Sequence, residues 1–118
     1  MPRIVQFLSL VSLVFCTSLL AQTKKAGPII TNYGKVWDIK DPDFIVDTTK
    51  EYKAVFDIMN TPEDHSAINA TIETAARFLN MHAQSGIPME KLKVALVVHN
   101  KASKDIITND AYKKRYGT

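Results

Sequence analysis

The spacing of apolar positions changes three times along the second half of the chain, and each change marks an element. Residues 52–59 are a nearly continuous apolar run, Ala54, Val55, Phe56, Ile58 and Met59, interrupted by Asp57. That is the pattern of a strand covered on both faces of a parallel sheet. Ile68, Ile72, Ala76, Leu79 and Ala83 then recur at intervals of three and four, the buried stripe of an amphipathic helix. Thr61 as cap, Pro62 at the first helical position and Glu63 and Asp64 in the first turn predict where that helix starts; Gly86 and Pro88 predict where it ends. Its polar side holds Asn69, Glu73, Arg77, Asn80 and Gln84, with Glu73 and Arg77 spaced as an i,i+4 ion pair. Residues 92–99 form a second apolar strand that runs into His99. A strand, a helix of about six turns and another such strand predict a right-handed βαβ unit with parallel strands. Residues 101–107 and 109–116 predict two short helices, the second capped by Thr108 or Asn109.

The first half reads differently. Arg3 leads into an apolar run from Ile4 to Leu20, followed by Ala21 and a polar, basic stretch, which predicts a cleaved signal peptide over residues 1–21. At about 17 residues, diluted by serines and threonine, the run is at the short limit for a membrane span, so no stable membrane anchor is expected after cleavage. Residues 22–51 have weak periodicity punctuated by Gly27-Pro28, Asn32-Tyr33-Gly34 and Asp41-Pro42-Asp43, an arm or short hairpin with Ile29-Ile30 and Val36-Trp37 as edge strands. Trp37, Phe44 and Ile45 are expected to pack onto the α/β domain of residues 52–118. Two parallel strands with one good helix leave apolar sheet surface uncovered. The expectation is therefore extensive oligomerisation, or a longer protein of which this is the front part.

Composition narrows the chemistry. Removing the leader leaves about 97 residues, one small domain at most. The single cysteine, Cys16, goes with the leader, so the mature chain has no disulfide, thiol nucleophile, persulfide carrier or cysteine zinc site. Fourteen basic residues against twelve acidic ones remain, interspersed apart from Lys24-Lys25 and Lys113-Lys114-Arg115, and this is no nucleic-acid footprint. There is no phosphate-binding glycine loop, nucleophile elbow or HExxH motif, and no cofactor or metal is called for.

His99 is the leading candidate, because a parallel sheet collects functional groups at the carboxyl ends of its strands. A general base or ligand contact there competes with a structural role. Asp57 must be near the strand's wet end or satisfied by a neighbour. His82 falls in the last helical turn, where a ring can cap a carbonyl, at the opposite end of the unit from His99; His65 is expected to be exposed. Asn69-Ala70-Thr71 matches a glycosylation sequon within the predicted helix.

The segments YKAVFDI, NMHAQSGIP, KLKVALVVHNKA and NDAYKKRYG, preceded by GPIITNYGKVWDI, resemble the DsrE/DsrF-like (YchN-like) family, and the arm resembles that of its exported members. The resemblance implies a three-layer α/β/α sandwich with a mainly parallel sheet, incomplete in this chain, assembly as a trimer or hexamer, and export to the periplasm or beyond a bacterial cell. It places the family's recurring histidines on His82 and His99, with Asn80, Asn100 and Tyr112 as neighbours, all five being ligand-binding candidates. Asn100 stands where a glycine is usual, and the continuation past YKKRYG that often carries a cysteine is missing. The implied function is binding or relay of a small sulfur species, with or without a partner protein; a non-enzymatic oligomeric assembly module is the alternative. Sulfur transfer itself requires a thiolate, so whether the chain is an enzyme stays open.

Overall fold

The computed structural model describes residues 23–117; the leader expected over residues 1–21 lies outside them. Among the described residues no helix is long and apolar enough to cross a membrane. The chain is a small α/β fold: strand β1 (Tyr52–Ile58), helix α1 (Ala70–Gln84), a 3-10 turn (Met89–Lys91), strand β2 (Leu92–Val98), a 3-10 segment (Asn100–Ile106) and helix α2 (Asn109–Tyr116). The two strands pair in parallel, from Tyr52 opposite Leu92 to Ile58 opposite Val98.

Strand parity sorts the side chains. Even-numbered residues of β1 face α1, where Phe56 meets Phe78 edge-on at 6.3 Å and Tyr52 meets His82 at 5.2 Å; Ile58 and Leu92 are buried. The odd positions, Lys53, Val55 and Asp57 on β1 and Lys93, Ala95 and Val97 on β2, form an open face. Val55 is 71% exposed and Val97 52%, so the coverage of both faces that the apolar runs predict is met on one face only.

Helix α1 starts eight residues later than its sequence signals predict, at Ala70 where Pro62 was the expected first position. Thr61 donates its hydroxyl to Asp105 at 2.5 Å instead of capping. Asp64 accepts from the backbone N–H and hydroxyl of Ser66, both at 2.8 Å. These local bonds close a turn that competes with helix, and Ile68 is left half exposed. Asn69 is the cap, accepting from Thr71 N–H at 3.0 Å. The other end follows expectation: Gly86 is left-handed at φ +92°, with Ile87 N–H bonded to the His82 carbonyl and Gly86 N–H to that of Ala83, a complete Schellman motif.

The polar side of α1 faces the arm, not water. Asn80 is fully buried; its Oδ1 accepts from the N–H groups of Ile29 (3.1 Å) and Ile30 (2.8 Å), and its amide donates to the carbonyls of Ile30, Tyr33 and Gly34 at 2.9–3.0 Å. Glu73 and Arg77 form no ion pair with each other. Glu73 accepts from Gly34 N–H, while Arg77 donates to the Lys35 carbonyl. Gln84 donates to Trp37 O and Asp38 Oδ1. Gly34, at φ +66°, lies so close that a Cβ there would sit 2.4 Å from Arg77 N and 2.5 Å from Ala76 C. The arm's only ladder contact among the described residues is an antiparallel bridge between Lys25 and Val36. Ile29-Ile30 is not a strand, because its N–H groups are taken by Asn80. Phe44 and Ile45 are 78% and 84% exposed and Trp37 about half, so the expected packing of these three fails. Trp37 lies instead under the Lys24 ammonium at 5.1 Å, and Val36 is the arm's buried apolar residue.

Two measurements check this construction. Asn80→Ala leaves the part-buried N–H groups of Ile29 and Ile30 without their acceptor and is expected to cost about 2–4 kcal/mol in urea unfolding; Gly34→Ala, combining positive φ with a backbone clash, is expected in the same range. An exposed control such as Lys35→Ala is expected to fall within about 0.5 kcal/mol of the wild type. Separately, Asp47 accepts from the hydroxyl and N–H of Thr49, and Asp64 from Ser66. The Thr49 hydroxyl in the first case and the Ser66 N–H in the second lead in holding these carboxyls below the ordinary aspartate value of 3.8. Lowered values mean the turns are fully supported above that pH and lose the support as pH falls through the depressed values. Amide exchange at Thr49 and Ser66, corrected for intrinsic rates, is expected to lose protection only below about pH 4.

Candidate site at the carboxyl edge of the sheet

Asp57 on β1 and the residue after β2, His99, share the odd parity that faces away from α1. His99 continues the ladder by donating its backbone N–H to the Ile58 carbonyl at 3.0 Å. That registration brings its Nε2 to 2.7 Å from Asp57 Oδ1. Both side chains are solvent-accessible, 46% and 71%, so the carboxylate in an apolar strand is placed at the wet end and is also satisfied by a neighbour. A carboxylate accepts, so the Nε2–H donates, which fixes the neutral ring with its lone pair on Nδ1. The couple thus presents an oriented base or, when protonated, a cationic N–H donor. In this exposed setting the pair contributes at most about 1 kcal/mol to stability.

Asn100 follows at φ +55°, a left-handed conformation that asparagine tolerates better than most residues. It turns the chain from β2 into the 3-10 segment, whose Ala102 is buried and donates its N–H to the Met59 carbonyl at 3.1 Å. Asp105 in the same segment accepts from Thr61 through one oxygen and from Asn69 Nδ2 through the other, at 2.7 Å. The Asn69 amide also donates to Asn60 O at 2.7 Å. With Asn69 6% exposed and its amide nitrogen engaged twice, the sequon asparagine is closed to glycosylation in the folded chain.

The other candidates lie elsewhere. His82 donates from Nδ1 to the Phe78 carbonyl at 2.8 Å and stacks on Phe78 with centroids 4.1 Å apart, beside Tyr52. This is at the amino ends of the strands, about 20 Å from His99 along a seven-residue strand. Asn80 is the arm's clamp. Tyr112 meets His65 through its hydroxyl and the His65 Nδ1, packs on Tyr116 at 4.7 Å, and lies 5.9 Å below the Lys104 ammonium. The structure therefore brings together His99 and Asn100, sets Tyr112 on the neighbouring helix, and gives His82 and Asn80 packing roles. Asp57 is the partner that spacing alone did not single out. The readable signal is that Asp57 and His99 have the same parity near the ends of two strands of equal length.

A cleft of about 540 Å³ is bordered by Asn100, which follows His99 in sequence, and by Lys101, Lys104 and Arg115. Among the described residues no group of three His, Cys, Asp or Glu side chains is placed to hold a metal ion. No family model, curated protein or solved structure matches the chain.

The orientation of His99 is directly measurable. In an ¹⁵N-resolved imidazole spectrum of the neutral ring, the wild type is expected to show the Nε2–H tautomer in excess, and Asp57→Ala a mixture. An unchanged tautomer ratio in the variant would mean that the carboxylate does not set the ring.

Proposed function

We propose that this chain is an exported domain of the DsrE/DsrF-like kind that binds a small anionic sulfur species at the carboxyl edge of its sheet. The observation that carries the reading is the Asp57–His99 couple, an oriented imidazole at the ends of parallel strands, where open α/β sheets hold their ligands. The sequence's one cysteine, Cys16, belongs to the expected leader, and a persulfide relay needs a thiolate. The function proposed is therefore binding, with any transfer step depending on a thiol supplied by a partner. With its Nε2–H held by Asp57, His99 has its Nδ1 edge left to meet such an anion, as a hydrogen-bond donor when that nitrogen carries a proton.

A second reading, an oligomeric assembly module, is favoured by the bare sheet face, where Val55 and Val97 are exposed beside the paired strands. In this reading a third layer, supplied by further copies in a trimer or hexamer, covers that face and completes an α/β/α sandwich.

Titration of the mature chain with thiosulfate, followed by calorimetry, tests the first reading. Saturable binding that weakens about tenfold in His99→Ala, the loss of one charge-assisted hydrogen bond, is the expected result. Binding unaffected by that substitution would sink it. For the second, sedimentation velocity is expected to show an oligomer that Val55→Glu converts to monomer; an already monomeric wild type would rule it out.

A further inference from the structure

The cleft that starts at Asn100 lies mainly between two elements, with Thr61 of the connection after β1 also on its border: the 3-10 segment supplies Lys101, Ser103 and Lys104, and the end of α2 supplies Arg115 and Tyr116. Its charges are of one sign. The ion pairs among the described residues are Lys50 with Asp47, Lys53 with Glu51 and His99 with Asp57, so no carboxylate of a described residue pairs with any of these three cations. Asp105, next in sequence to Lys104, has its two oxygens turned to Thr61 and Asn69. The Lys104 ammonium stands 5.4 Å from the Tyr116 ring and 5.9 Å from that of Tyr112, and the Arg115 guanidinium stands 5.9 Å from Tyr116. Aromatic faces hold these cations in place without cancelling their charge.

Cations at the end of α2 suit its dipole, and Arg115 belongs to a basic last turn with Lys113 and Lys114. That accounts for Arg115 alone. Lys101 and Lys104 come from a different element and add to the same field, and three like charges around one concavity repel one another unless an anion enters. The volume, about 540 Å³, lies within the range of small-molecule sites and exceeds what an inorganic oxyanion occupies. Ile107 and the Tyr116 ring provide an apolar wall for a carbon skeleton, and the Ser103 hydroxyl a neutral donor.

We propose that the cleft between the 3-10 segment and α2 is a binding site for a small organic anion carrying a phosphate or sulfonate group, held by Lys101, Lys104 and Arg115, with its carbon portion against Tyr116 and Ile107. The site stands apart from the sulfur reading of the Asp57–His99 couple, since none of its three cations is a member of that couple.

Phenyl phosphate and benzenesulfonate are suitable probes, titrated into ¹⁵N-labelled mature chain, with benzyl alcohol and inorganic phosphate as comparators. Saturable shifts are expected at the amides of residues 100–104 and 115–117 with one or both aromatic anions, and none with benzyl alcohol. Lys104→Gln and Arg115→Gln are each expected to weaken binding about tenfold. The exposed Lys101→Gln, which disturbs no packing, is expected to weaken it severalfold, as is raising the salt from about 0.02 M to about 0.5 M. The ratio of phenyl phosphate to benzenesulfonate affinity identifies which headgroup the site prefers. No saturable response to either anion up to about 10 mM, or equal binding by the Lys101→Gln, Lys104→Gln, Arg115→Gln triple variant, would overturn the site. Equal affinity for inorganic phosphate and phenyl phosphate would overturn an organic ligand. Aromatic-anion binding that survives His99→Ala supports a separate site whether or not thiosulfate binds.

Discussion

The burial of one asparagine organises this chain. Asn80 has no exposure to water, and a primary amide in that position is tolerated only if its hydrogen-bonding capacity is met. The arm meets it with main-chain groups some fifty residues earlier, at Ile29, Ile30, Tyr33 and Gly34. The interaction fixes the arm's path against α1, requires a glycine where its backbone touches the helix, and aligns Glu73, Arg77 and Gln84 as additional fasteners. Helix α1 is consequently enclosed on two sides, by the sheet through Phe78 and His82 and by the arm through its polar residues.

Much of this arrangement was legible in the sequence. The two strands and the end of α1 at Gly86 follow from local rules, and the cap of α2, open between Thr108 and Asn109 in the sequence, is Thr108; the parallel pairing follows from the strand, helix, strand order. Nonlocal partners override local signals elsewhere. Thr61 and Asp64 carry good helix-start chemistry, yet Asp105 and Ser66 claim their hydrogen bonds and the helix waits for Asn69. The polar stripe of Glu73, Arg77, Asn80 and Gln84 has the periodicity of a solvated face. Nothing in that periodicity says that another part of the backbone will replace water there.

The candidate site shows the same division. The position of His99 at a strand end could be read from the apolar run before it, and its neighbour Asn100 from the turn that must follow. Its partner Asp57 depends on register, which only the pairing of the two strands supplies. Conversely, His82 and Asn80 have the residue types of a binding site but are committed to packing: one ring spans Phe78 and Tyr52, and one amide spans the arm. The cationic cleft was not legible at all, since Lys101 and Lys104 lie on a different element from Arg115 and their proximity is purely tertiary.

Asp105 divides its two oxygens between Thr61, from the connection after β1, and Asn69, which opens α1, while Ala102 in the same segment holds Met59. Both connections at the carboxyl edge are therefore fastened to a common carboxylate. The shape of that edge is set by the fold before anything meets it, and a fixed rim has little ordering left to lose.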